Sequence, residues 1–124
     1  GFEKRYPHEL SGGMRQRGGL LRSFLIDSDL MLLDEPFGAL DALTRSSMQE
    51  WLLKIWNKYN HSILFITHDI EEAIYLSDRI YIMSPRPGKF LDELDIKFPR
   101  PRKKDIILSQ KFLKYKGKIL EKLR

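Results

Sequence analysis

Apolar side chains fall along this chain in two different periods. Leu30, Met31, Leu32 and Leu33 form a short uninterrupted run, preceded by Asp27, Ser28 and Asp29 and followed by Pro36 and Gly38. A run of that length between turn residues predicts a strand buried on both faces, as in a parallel sheet. Ile63 to Ile66 and Ile80 to Met83 repeat the pattern. Between the first two runs the period lengthens: Met48, Leu52, Ile55 and Tyr59 recur at helical spacing down to Asn60.

Side-chain oxygens stand where helices should begin. Ser11 precedes a segment running towards Leu25, Asp41 precedes the Met48 helix, Asp69 a short helix through Leu76, and Ser109 a last amphipathic helix containing Phe112, Lys116, Ile119 and Leu123. Each oxygen is suited to accept from backbone N–H groups that a helix start leaves unpaired. Strand, helix, strand, helix, strand with short connections predicts an α/β domain with a parallel sheet, helices on both sides and right-handed crossovers. Ligands then gather at the carboxyl ends of the strands. Phe90 to Phe98 alternates as an edge hairpin strand would, after a turn at Pro85, Pro87 and Gly88, and Pro99 and Pro101 close it off.

Composition narrows the classes. The 124 residues are 42% hydrophobic and 31% charged, as in a soluble globular domain or part of one. The absence of cysteine excludes disulfides, thiolate metal sites and thiol nucleophiles. No apolar run approaches the roughly 18 residues that span a bilayer, so a membrane role would go through a partner. No signal-peptide pattern opens the chain. Gly1 to Glu9 reads as a mid-domain loop, and a piece of a longer domain is expected. Residues 1–96 carry 11 basic and 15 acidic side chains, whereas 97–124 carry 11 basic and two acidic. The basic tail suits nucleic acid or an anionic membrane surface electrostatically, but a solvated basic helix face is the plainer reading.

The densest chemistry is Leu30-Met31-Leu32-Leu33-Asp34-Glu35, where two carboxylates leave the end of a strand. Successive side chains on an extended segment point in opposite directions, so the pair can serve different partners: one holds Mg2+, the other accepts a proton from an attacking water. Ser11, Gly12 and Gly13 open a helix whose N–H groups and dipole favour an anion such as a phosphate. Arg15 and Arg17, two residues apart, do not share a helix face and read as structural or interfacial. His8 and His61 read as surface or loop residues, and Met14, Met31, Met48 and Met83 as core filler.

Four elements stand in fixed order around the acidic pair: Leu10-Ser11-Gly12-Gly13-Met14 with Arg15-Gln16-Arg17, then Gly38-Ala39-Leu40-Asp41, then His68-Asp69. Together they resemble the signature motif, Walker B strand, D-loop and switch histidine of the ABC transporter ATPases. Tyr75-Leu76-Ser77-Asp78-Arg79 and Ser84-Pro85-Arg86-Pro87-Gly88 look like the nitrate, sulfonate and taurine import branch.

The resemblance implies the C-terminal half of a nucleotide-binding domain over residues 1–96, with 97–124 a basic extension, and ATP and Mg2+ as cofactors. It implies Glu35 as the general base, Asp34 as the Mg2+ partner and His68 as a γ-phosphate contact that orients the base or the water. Ser11, Gly12 and Gly13 would touch ATP held by a second ABC ATPase subunit in a head-to-tail dimer, and Asp41 would bridge the two subunits. The expected setting is the inner face of the cell membrane, with membrane-spanning permease subunits as direct partners and a solute-binding protein as an indirect one. No nucleic acid partner is expected.

Two features depart from the family. The chain contains no G-x-x-x-x-G-K-[ST] loop, which is expected upstream of Gly1, so ATP affinity in isolation should be poor. Gly18 and Gly19 occupy the signature helix where apolar helix formers are usual, each costing roughly 0.8 to 1.0 kcal/mol relative to alanine. A non-catalytic remnant that folds with a complementary half is therefore an alternative, and a nucleic-acid-associated ABC ATPase is a third reading resting on the basic tail. An absent strand would also leave a sheet edge open.

Overall fold

The first helix, α1, spans Gly12–Leu25 and begins where the Ser11 hydroxyl accepts the Met14 N–H at 3.2 Å. The computed structural model describes residues 1–26 and 28–124. Of the turn expected at 27–29, Asp27 lies outside the described residues. Two compact units are present, residues 1–67 and residues 68–124.

In the first unit α1 leads to β1 (Leu30–Asp34), α2 (Ala42–Tyr59) and β2 (Ser62–Ile66). Asp41 caps α2, accepting the Thr44 N–H at 3.0 Å, and Asn60 ends it in the left-handed conformation with its N–H on the Trp56 carbonyl. α1 buries Leu20 and Phe24, and α2 buries Met48, Leu52 and Leu53. The two helices are tied by Arg17, whose Nη2 donates to Ser47 Oγ at 3.2 Å and whose Nε lies 3.1 Å from Met48 Sδ. Arg17 is thus structural, as expected. Phe24, Tyr59 and His61 form an aromatic cluster at the far ends of the helices, and His61 Nδ1 lies 3.0 Å from the Ser28 carbonyl oxygen. His61 lies in the loop between α2 and β2, as expected, and packs there against the aromatic rings.

β1 and β2 pair in parallel, Leu30 opposite Ser62 through Asp34 opposite Ile66. Their burial corrects the expectation of a strand covered on both faces. Met31 is buried, but Leu30, Leu32, Leu64 and Ile66 are all more than half exposed. The reason is geometric: side chains alternate across a pleated strand, in-register parallel strands put Leu32 and Leu64 on one face, and among the described residues that face is left largely uncovered.

In the second unit α3 (Ile70–Leu76) starts at Asp69, whose carboxylate accepts the Glu72 N–H at 3.1 Å. β3 (Arg79–Met83) and β4 (Phe90–Asp95) form an antiparallel hairpin with an irregularity between Ile82 and Met83. Among the described residues parallel pairing is confined to β1 and β2, and β3 hydrogen-bonds to β4. Met83 is exposed rather than core, because it lies on the open face of this two-stranded hairpin opposite Phe90.

The last helix, α4 (Gln110–Leu123), is capped by Ser109 and buries Phe112 and Ile119. Part of the tail's positive charge is paired within this unit. Arg100 and Arg102 donate to carbonyls at the end of α3 and to Asp78, Lys116 pairs with Glu71 at 2.7 Å, and Lys122 pairs with Asp92 at 3.1 Å. Lys104 lies over the Tyr75 ring, and Lys111 donates to the Lys97 carbonyl.

Candidate functional site

Asp34 is the last residue of β1 and its side chain is exposed; Glu35, half-buried, follows it out of the strand. Glu35 adopts φ +46°, a left-handed conformation that costs a non-glycine residue about 1 to 3 kcal/mol and collects at functional sites. Backbone contacts hold it there. Its N–H donates to the Ile66 carbonyl at 2.8 Å, carrying the parallel ladder one step past the strand, and its own carbonyl accepts the Gly38 N–H at 3.2 Å. The Glu35 carboxylate lies over Gly38, where an added Cβ would stand 3.5 Å from Oε2. Pro36 and Phe37 are buried beneath the turn, which anchors it to the unit.

The turn then delivers Leu40 and Asp41 to the start of α2. Leu40 is buried, and its carbonyl accepts from Arg45 Nη2 at 2.9 Å. Hydrogen bonds from Thr44, its hydroxyl first and then its amide, hold the Asp41 carboxyl below the usual carboxylate range. Ser11, Gly12 and Gly13 lie close to the same place. An added Cβ on Gly12 would be 3.8 Å from Leu40 Cδ2, and one on Gly13 only 2.8 Å from Thr44 Cγ2. The first turns of α1 and α2 therefore stand against one another with the Glu35–Asp41 turn beside them.

One contact in this assembly had no role assigned from sequence. The Gln16 side-chain amide donates to the Pro36 carbonyl. Gln16, Arg15, Gly19, Leu33, Asp34 and Pro36 are among the residues lining a cleft of about 210 Å3 between α1 and the end of β1. The signal was present in spacing: Gln16 lies four residues after Gly12, one helical turn along the same face.

The first unit thus brings Ser11, Gly12, Gly13, Asp34, Glu35 and Asp41 into one neighbourhood. His68 opens the second unit, two residues beyond the end of β2, and is exposed. Among the described residues no cluster of three or more histidine and acidic side chains forms a metal site. The donor set is one exposed carboxylate at a strand end, which fits Mg2+ in the manner usual for nucleotide enzymes, where substrate phosphates and waters complete the shell.

A family model described as ABC transporter matches residues 1–38. The aliphatic sulfonates import ATP-binding protein SsuB of Bacillus cereus (strain ZK / E33L) is 53% identical over 98% of this chain and 47% of its own length. The taurine import ATP-binding protein TauB of Rhizobium johnstonii is 52% identical over 80% of the chain and 38% of its own length. The chain thus spans about half the length of the curated relatives it matches. Among solved structures, the dimeric post-hydrolysis state of the ATP-binding cassette MJ0796 bound to ADP and Pi superposes with a TM-score of 0.62 at 28% identity, covering 79% of this chain and 41% of that one. Relatives at about 50% identity over most of this chain, together with cassette structures as neighbours, show that the chain belongs to the ABC transporter ATPase family.

Proposed function

We propose that this chain supplies the hydrolytic portion of the ATP-binding subunit of an ABC importer, powering uptake of a small solute such as a sulfonate, taurine or nitrate through separate membrane-spanning subunits. The observation that carries this reading is the conformation of Glu35: a carboxylate at the carboxyl end of a parallel strand, in a left-handed turn held by backbone hydrogen bonds, directly after an exposed Asp34. Mg2+, when bound with ATP, would neutralise phosphate charge and organise the reacting oxygens. Asp34 would hold it. Glu35 would accept the proton of the attacking water, and His68, following the neighbouring strand, would donate to the terminal phosphate.

The start of α1 completes the reading. Gly12 and Gly13 lack side chains, so the amides of the first turn approach an anion closely, and Ser11 adds a hydroxyl. In a head-to-tail pair of subunits this surface would meet the nucleotide of the other copy, and Asp41 would lie at the shared boundary. No described helix is long and apolar enough to cross a membrane, so attachment to the membrane would be peripheral, through the permease subunits.

The test is Mg-ATP hydrolysis by the purified chain, alone and mixed with a separately expressed half bearing the phosphate-binding loop. Turnover is expected only in the mixture. Glu35→Gln should abolish it while ATP binding persists, and His68→Ala should slow it severely. Unimpaired turnover in either variant removes that residue from the mechanism.

A second reading, a non-catalytic piece that docks on a complementary half, is favoured by the open apolar face of Leu30, Leu32, Leu64 and Ile66. It predicts a stable complex in the same mixture without turnover. A nucleic-acid reading would rest on the basic tail, in which Arg100, Arg102, Lys104, Lys116 and Lys122 engage groups of their own unit; tight, salt-sensitive RNA or DNA binding would favour it.

A further inference from the structure

The first unit fastens two surfaces with separate tasks. One is the start of α1, with Ser11, Gly12 and Gly13; the other is the turn bearing Glu35. If the hydrolytic reading above holds, on which this inference rests, the first touches a phosphate in one composite site while the second acts in the other. Arg17 ties α1 to α2 through Ser47 and Met48, and Gly13 lies against Thr44; both of these reach α2. Gly12 meets the far end of the turn, close to Leu40. The Gln16 amide lands beside Glu35 itself, on the Pro36 carbonyl.

We propose that Gln16 is a positioning residue for hydrolysis, fixing the Glu35 turn to the phosphate-facing start of α1 by its hydrogen bond to the Pro36 carbonyl. The Pro36 carbonyl belongs to the Pro36–Phe37 peptide, one residue beyond Glu35, so a bond there restrains the turn that aims the carboxylate. Glu35 has φ +46° and needs such restraint, because a residue in a sparsely populated conformation relaxes unless its surroundings over-determine it. The Ile66 carbonyl holds the turn on the β2 side and Gln16 holds it on the α1 side. Proline at the acceptor position fixes φ there and so removes one of the turn's backbone freedoms. The cleft beside the bond, where Arg15, Asp34 and Pro36 meet, leaves room for the turn to swing when the bond is lost.

The experiment is steady-state and single-turnover ATP hydrolysis by the chain combined with the phosphate-loop half, comparing wild type with Gln16→Met, which keeps length but removes the donor, and Gln16→Lys, which restores one. Gln16→Met should lower kcat about tenfold with KM for ATP within about twofold of wild type, since only the aim of the base is disturbed. Gln16→Lys should recover at least about a third of wild-type kcat, and both variants should form the complex with unchanged thermal midpoint. A kcat for Gln16→Met within twofold of wild type overturns the proposal alone. Equal losses in both variants, accompanied by a lower midpoint or a raised KM, also overturn it, by showing a merely structural role. Absence of turnover in the unsubstituted pair removes the hydrolytic reading and this proposal with it.

Discussion

Gly13 faces Thr44 so closely that a Cβ on the glycine would stand 2.8 Å from Thr44 Cγ2, inside van der Waals contact. Thr44 is β-branched and sits in a helix, where its χ1 freedom is narrow, so the methyl cannot simply turn aside without disturbing its neighbours. Thr44 is also the residue whose N–H bonds the Asp41 carboxylate at 3.0 Å. A glycine proposed to face a phosphate and the cap of the next helix thus meet at one side chain.

Gly13→Ala should destabilise the chain by about 1 kcal/mol, the overpacking penalty exceeding what alanine gains in helix propensity. Thr44→Ser removes the Cγ2 methyl and should make Gly13→Ala neutral or stabilising in the double variant. Urea unfolding of the four members of the cycle measures the coupling. Additive effects would show that the two side chains do not compete for that space.

Gly18 and Gly19 invert this logic. Both lie inside α1 and are exposed, and an added Cβ at either meets no atom within 4 Å. Gly18→Ala and Gly19→Ala should each stabilise by about 0.8 to 1.0 kcal/mol, because alanine loses less backbone entropy on entering the helix. A loss of stability in urea unfolding would mean that α1 meets a surface at these positions.

Much of this fold was legible in the sequence because its punctuation is chemical. Ser11, Asp41, Asp69 and Ser109 each cap the helix expected of them, and the runs at Leu30, Ile63 and Ile80 are strands. The burial of β1 was not legible. An uninterrupted apolar run reports what a strand is suited to meet on both faces, and here, among the described residues, Leu30 and Leu32 are left more than half exposed. The exposed Met83 has the same origin. At the candidate site the order of motifs pointed to Asp34, Glu35 and Asp41 as candidates, but the left-handed Glu35 and the Gln16 bond to Pro36 depend on a turn conformation that no periodicity encodes.

Asp41 gives the first unit an acid-sensitive joint. Its bonds to Thr44 lower its carboxyl in the fold relative to the unfolded value of about 3.9. A depressed folded value means that the cap's contribution is fully present above that unfolded value and is lost as pH falls through the folded one. Asp41→Asn keeps an acceptor oxygen but cannot titrate. The stability difference between wild type and this variant should therefore shrink as pH is lowered below about 4. Urea midpoints from pH 6 to pH 3 follow it, and a constant difference would remove Asp41 from the acid response.

Arg102 closes the second unit much as a cap would, from a distant part of the chain. Its side chain is wholly buried. Nη1 donates to the carbonyls of Tyr75 and Ser77 at 3.1 and 2.6 Å, and Nη2 to Asp78 Oδ1 at 3.2 Å. These carbonyls belong to the end of α3, where the helix has no N–H of its own to offer them. Burial, reinforced by the nearby Arg100 charge and opposed by Asp78, pushes the guanidinium down to about 10, so it remains a cation at neutral pH. Arg102→Met should cost about 3 kcal/mol, because it strands the α3 carbonyls and leaves Asp78 to Arg100 alone. Arg102→Lys should fall between the two, since a single ammonium keeps the charge but not the planar fork that reaches several acceptors together. Urea unfolding ranks the three proteins. Equal stability of the lysine variant and wild type would show that charge alone holds the tail to α3, and equal stability of the methionine variant would show that the tail is held by Phe112 and Ile119 without it.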